Sequence, residues 1–163
     1  MINRKESASL ASSGAVGNVI QDPPQGYAHG HRAVNPAGAS QNLPFSDGIE
    51  AGNTLYLAGQ QGTDSSGKLK EGISDQTEAA LENIKQIVTK AGFEMKDVVN
   101  VNVYLSDMSD FAAMNKVYTT FFANPKPART AIQVAGLVGG ARIEISAIAV
   151  KQGRFTLRPA TAR

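Results

Sequence analysis

Ile143-Glu144-Ile145-Ser146-Ala147-Ile148-Ala149-Val150 alternates β-branched or small apolar residues with a second set that starts polar, at Glu144 and Ser146, and turns apolar at Ile148 and Val150. A period of two over eight residues predicts a strand with one face in a core. The other face is wet at one end and greasy at the other, so it needs a further covering. Working upstream, Val98 to Leu105 repeats the pattern, its valines alternating with Asn100 and Asn102. Phe45–Ala51 and Thr54–Ala58 read as strands around the two-residue turn Gly52-Asn53, and Thr130–Ala135 as another strand. Between them lie two helices. In 74–91, Ala80, Leu81, Ile84, Ile87, Val88 and Ala91 form one apolar stripe, with Ser74 or Asp75 as N-cap, Glu78 completing a capping box and Gly92 as the C-terminal stop. In the second, Phe111, Met114, Tyr118 and Phe121 repeat at three and four after a cap within Ser106–Asp110, and Pro125 and Pro127 end it. The order strand, strand, helix, strand, helix, strand, strand predicts an α+β fold: a mixed β-sheet with two helices packed on one face. Its bare face predicts self-association.

The chain of 163 residues is one domain's worth, and three segments are expected: a flexible N-terminal extension over 1–42, rich in Ser, Gly, Ala, Asn and Pro, a folded domain over 43–152 and a basic tail over 153–163. The formal charge of +2 hides an uneven distribution, since residues 44–150 carry nine Lys/Arg against twelve Asp/Glu, a net −3. A mildly acidic body lacks the basic face that phosphate neutralisation requires, so nucleic acid is not an expected partner. There is no Cys, which removes thiol catalysis, disulfides and zinc–cysteine sites. No apolar run reaches the length of a membrane span, and Ser12, Ser13, Gly14, Gly17 and Asn18 break the segment after Arg4-Lys5 that a leader would need; a cytoplasmic protein is expected.

Chemistry-bearing candidates reduce to two. His29 and His31, the only histidines, make a two-ligand pair, which is no competent metal site, and leave no histidine in the domain for a Ser-His-Asp triad. Gly136–Gly140 precedes a strand and lacks the Gly-Lys-Ser/Thr ending, so it reads as a turn and not a phosphate loop. Arg129, opening an apolar strand, and Glu144, an acid inside Ile-Glu-Ile, remain. A carboxylate there costs stability unless it is paired or serves a site. The residues alone allow two readings: a structural ion pair between Arg129 and Glu144, or a functional pair.

Phe45-Ser46-Asp47-Gly48-Ile49, Leu57-Ala58-Gly59-Gln60, Val103-Tyr104-Leu105-Ser106-Asp107-Met108-Ser109-Asp110-Phe111, Asn115-Lys116-Val117-Tyr118, Pro127-Ala128-Arg129-Thr130 and Ile143-Glu144-Ile145-Ser146-Ala147-Ile148-Ala149 together resemble the reactive intermediate deaminase family, the Rid or YjgF-like proteins, over about residues 43–152. The resemblance implies a chorismate-mutase-like fold assembled as a trimeric barrel, with ligand sites between subunits. It also implies hydrolysis of enamines and imines such as 2-aminoacrylate and 2-iminobutanoate to 2-keto acids and ammonia, without a cofactor. Arg129 matches the family's carboxylate-binding arginine, Glu144 the acid that orients the attacking water, and Asn115 the helix asparagine of the site. The further ligand positions implied are Phe45, Ala58, Gly59 and Ala131. Three of these depart from the family's usual residues: Phe45 stands for a Tyr, Ala58 for a Ser and Ala131 for a Cys. Because the first two departures remove hydroxyls, a second function stays in view, a trimeric small-carboxylate-binding or chaperone-like protein without turnover.

Overall fold

A computed structural model describes residues 30–36 and 43–151. Six strands form one sheet: β1 (His31–Val34), β2 (Gly48–Ala51), β3 (Thr54–Gln61), β4 (Val98–Leu105), β5 (Ala128–Gln133) and β6 (Ile143–Val150), in the spatial order β1-β2-β3-β6-β4-β5. All neighbours are antiparallel except β4 and β5, which run parallel. A parallel pair needs a crossover, and α2 (Phe111–Phe121) provides it. The long helix α1 (Gly72–Lys90) connects β3 to β4 and packs on β3, β6 and α2. Two helices on one face of a mixed sheet is the α+β architecture the strand and helix order implied.

The core lies between that face and α1. Leu55, Val101, Val103, Leu105, Ile143, Ile145 and Ala149 from the sheet meet Ala80, Leu81, Ile84 and Val88 from the helix stripe, and all have no exposed surface. Each fully buried Leu or Ile contributes about 1.5 to 3 kcal/mol relative to exposure. The alternation in β4 and β6 is therefore a record of two environments. Asn100, Asn102, Tyr104, Glu144, Ser146 and Ile148 point the other way and are only half-buried, while Tyr56 is exposed, because no element of the described chain covers that side. Among the described residues no helix is long and apolar enough to cross a membrane.

Local signals act mostly as their chemistry dictates. Gly52 takes a φ of 61°, which lets Ala51 pair directly with Thr54 across a two-residue turn. At the end of α1 the Gly92 amide donates to the Thr89 carbonyl and the Phe93 amide to the Val88 carbonyl, the paired bonds of a glycine-ended helix. Asp107 accepts from the Ser109 amide at 2.8 Å and caps the short 3-10 turn that leads into α2.

Two expectations need correction. Residues 31–34, assigned to an extension, form β1 and pair with β2, with Ala33 opposite Ile49. Four residues are too few to reveal a strand by period, and three of the four are exposed. His31 lies in that strand and is exposed; His29 lies outside the described residues. At the start of α1 neither Ser74 nor Asp75 caps: the helix begins two residues earlier, at Gly72, with no side-chain cap. The buried Gln76 ties that end down instead, donating to the Lys70 carbonyl at 2.9 Å and accepting from the Arg142 amide at 2.8 Å.

Candidate functional site

Arg129 lies on β5 opposite Val101, which in turn lies opposite Ala147. Paired residues share a face, so Arg129 is on the helix-covered side, at the edge where β5 has no outer neighbour. Its guanidinium is held there by α2. Asn115 Oδ1 accepts from Arg129 Nη1 at 2.7 Å, and the guanidinium carbon stands 4.5 Å from the Tyr118 ring centroid and 5.6 Å from that of Phe111. Residues 111, 115 and 118 are spaced at four and three, which stacks them on one helix face beneath the arginine. Stacking on aromatic faces fixes the plane of the guanidinium, and one Nη is committed to Asn115. No carboxylate among the described residues pairs with Arg129, so the rest of its donor fork is available to a planar anion. Ala131, two residues along, shares the same face and packs against the core.

The Tyr118 ring is buried, and its hydroxyl has no hydrogen-bond partner among the described residues. Burial raises its pKa above the ordinary tyrosine value, with the Arg129 charge opposing. The periodicity of α2 marked Phe111 and Tyr118 only as core stripe. Tyr118 is core, but Phe111 is 37% exposed. Their second role was invisible because it depends on an arginine brought in by the crossover, more than ten residues further along the chain.

Glu144 is on the opposite face. It pairs with Tyr104 on one side and Gln61 on the other. It lies three positions along β6 from the Arg129 row, about 10 Å along the strand. The structural ion pair left open by the sequence is therefore not made within the chain. What surrounds Glu144 is a break in register: between Leu57 and Gln60, β3 carries one extra residue against β6, and Ala58 and Gly59 fall in this irregularity. A Cβ placed on Gly59 would come within 2.1 Å of Glu144 Oε1, so only glycine allows the carboxylate to lie against the backbone there. The Ala58 amide donates to the Asp47 carbonyl at 2.9 Å, anchoring the irregular stretch to the approach of β2. Gln61, which no pattern in the sequence singles out, donates through Nε2 to Glu144 Oε2 at 3.1 Å.

The candidate residues thus fall into two separate groups. Arg129, Asn115 and Ala131 gather on the covered side at the β5 edge. Glu144, Ala58 and Gly59 gather on the open side of β3 and β6. Phe45 is 53% exposed and precedes β2 by three residues, two residues before Asp47, whose carbonyl accepts from the Ala58 amide. Neither half alone has both an anion-binding fork and a proton acceptor.

Comparison with known proteins agrees with this frame. The family model described as Endoribonuclease L-PSP matches residues 37–151. A RutC family protein of Pyrococcus horikoshii is 50% identical over 111 residues, covering 67% of this chain and 88% of that protein. The mouse protein named 2-iminobutanoate/2-iminopropanoate deaminase is 44% identical over 114 residues, covering 69% of this chain and 84% of its own. Among solved structures, the YjgF gene product of Escherichia coli matches with a TM-score of 0.71 at 32% identity, over 74% of this chain and 99% of that one. TdcF of Escherichia coli, solved with bound serine, matches with a TM-score of 0.65 at 34% identity, over 68% and 90% respectively. The match spans the whole sheet from β2 to β6 with both helices, and on that ground the chain belongs to the Endoribonuclease L-PSP family, that of the RutC and RidA proteins.

Proposed function

We propose that this chain is a hydrolytic deaminase of small 2-imino acids and their enamine tautomers, of the 2-iminobutanoate and 2-aminoacrylate type, and that its site closes between subunits of a homotrimer. The observation that carries the reading is the division of the site: Arg129 and Glu144 stand on opposite faces of one sheet, each already oriented by its own neighbours. A cyclic assembly sets the β5 edge of one subunit against the open face of the next, which joins the halves and covers the apolar end of that face. The mammalian relatives named as deaminases support the chemistry, and the serine held by the TdcF relative supports a small carboxylate ligand.

In the assembled site the unspent Arg129 donors take the substrate carboxylate side by side and so fix the α-carbon. The enamine takes a proton from solvent at its β-carbon to become the iminium. Water adds to the iminium carbon while Glu144 accepts its proton, and the same carboxyl returns that proton to the nitrogen of the resulting carbinolamine. The carbon–nitrogen bond then breaks with its electron pair on nitrogen, the hydroxyl proton passes to the Glu144 carboxylate and on to solvent, the carbonyl forms, and ammonia leaves. The balanced reaction consumes only water, and the substrate is intrinsically reactive, so positioning and one proton relay suffice. The net −3 of residues 44–150 argues against extending the endoribonuclease of the family's description to this chain. Ala58 brings no hydroxyl to the open half-site, which favours a second reading, a carboxylate-binding trimer without turnover.

The test is complementation. Imine is generated in a coupled assay and keto-acid release is followed. Glu144→Gln should lose on the order of 100-fold in turnover yet bind 2-ketobutyrate, and Arg129→Ala should lose about 30-fold or more in both. When the two variants are unfolded and reassembled together, random assortment gives about a quarter of interfaces an intact Arg129 facing an intact Glu144, and that fraction of activity should return. No recovery means that one subunit supplies both groups. Keto-acid binding without turnover in the parent means that the binding reading holds.

A further inference from the structure

We infer that Gln61 is a positioning residue for Glu144, an inference that rests on the hydrolase reading above. Gln61 ends β3 directly opposite Glu144 in the β3–β6 register. Its side-chain Nε2 lies 3.1 Å from Glu144 Oε2 and 3.1 Å from the backbone carbonyl of Val138. An amide nitrogen has two protons, and both acceptors here are oxygens. The reverse orientation would set the amide oxygen against two oxygens, so the chemistry allows only the donating one. The backbone of Gln61 is fixed as well: its carbonyl accepts from the Thr63 amide at 2.9 Å and from Asn83 Nδ2 of α1 at 3.2 Å. The donor aimed at Glu144 is thus tied to the helix layer through Asn83 and to the Leu137–Gly140 turn through Val138.

This arrangement divides the labour of the two carboxylate oxygens. Oε2 is taken by the Gln61 amide. Oε1 lies against Gly59, where no side chain intervenes, and accepts nothing from the described residues. A general base works fastest when one lone pair is aimed at the proton to be taken, and holding the other oxygen with a fixed donor removes rotation about the last side-chain bond. Gln61 touches neither substrate nor water in this scheme; it acts by keeping Oε1 directed at the attacking water. Val138, whose side chain is 81% exposed, contributes only its carbonyl, so the turn serves as an anchor for the amide.

Gln61→Met keeps length and volume and removes both hydrogen bonds. On the full-length protein with an imine generated in situ, kcat should fall about 10-fold, with KM and 2-ketobutyrate affinity within twofold. In the Glu144→Gln background the same change should cost nothing further, because the group it positions no longer accepts a proton. A tenfold loss that repeats in that background, or a KM that moves with kcat, overturns the proposal and makes Gln61 a packing residue. If Gln61→Met does not fold, Gln61→Glu retains the size and should show the same kcat loss; unchanged activity overturns the proposal. A parent without imine turnover removes the hydrolase reading and leaves the contact testable. The carboxyl 13C resonance of Glu144, identified by its absence in Glu144→Gln, should move in Gln61→Met, and a resonance that stays in place shows that Gln61 does not hold the carboxylate.

Discussion

The two faces of the sheet differ in what a neighbouring group runs into, and two glycines three positions apart show it. On the open face, a methyl at Gly59 would meet Glu144 Oε1 at 2.1 Å, the tip of a flexible side chain. Under α1, a methyl at Gly62 would meet Gln76 Cα at 2.2 Å and the Gln76 carbonyl oxygen at 2.3 Å, which are helix backbone. The first contact can be relieved by rotating a carboxylate. The second cannot be relieved without moving a helix whose apolar stripe forms the core. The covered face therefore carries stability through atoms that cannot yield, and the open face carries its contacts on side chains that can. Chemistry belongs on the second kind of surface, where a group can be oriented without being part of the scaffold.

The largest expected effect breaks the open face as an assembly surface. Ile148 sits at its apolar end, beside Tyr56 of β3 and Asn100 of β4. Ile148→Asp leaves the helix-covered core untouched and should convert the proposed trimer, about three times the chain mass of 17.1 kDa by light scattering, to monomer. All imine turnover should vanish with it. A monomeric variant with parental activity would mean that the half-sites do not need each other.

Next is the pair of glycines. Gly59→Ala should lower imine turnover by about 100-fold, as for removal of the base, with the melting temperature within a few degrees of the parent. Gly62→Ala should do the reverse. Overpacking against helix backbone costs about 1 to 3 kcal/mol, which lowers the melting temperature by about 5 to 15 °C, while the turnover of folded protein at 20 °C stays within a fewfold of the parent. The comparison fails if the two variants show the same ratio of stability loss to activity loss.

The same division decides how much was legible in the sequence. The covered face was legible because burial writes a period: Val101, Val103 and Leu105 in β4, Ile143, Ile145 and Ala147 in β6, and the stripe of α1 are all where alternation or helical spacing put them. Arg129 and Glu144 stood out as charges in apolar strands, but the residues alone could not say whether they met. That depends on the parity of two strands joined through a third, and the register of Val101 with both Arg129 and Ala147 separates them. Gln61 and the register break at Ala58-Gly59 left no pattern, because an irregularity is by nature a departure from period. β1 escaped notice because four mostly exposed residues bury too little to leave a signature.

The smallest expected effect concerns two aspartates whose pKa values move in opposite directions. Asp107 is exposed, and the Ser109 backbone amide, aided by the Ser109 side chain, holds its carboxyl below the ordinary aspartate value of 3.8. Its contribution to stability is therefore complete above that value and is lost as pH falls through the lower, folded-state pKa. Asp47 is half-buried before β2, and burial pushes its carboxyl above 3.8, with the nearby Gln60 amide opposing. Here the ionised form is the one the fold disfavours, so the linked stability is present in acid and is lost as pH rises through the raised value. Asn at either position keeps an acceptor and removes the titration. Asp107→Asn should lower the melting temperature slightly at pH 7, where the contribution of the ionised carboxylate is complete, and converge on the parent below about pH 4. Asp47→Asn should instead raise the melting temperature slightly at pH 7 and converge on the parent in acid. Melting curves by circular dichroism at half-unit steps from pH 3 to pH 7 separate the two, and parallel profiles for the parent and both variants would mean that neither carboxyl feels the environment assigned to it.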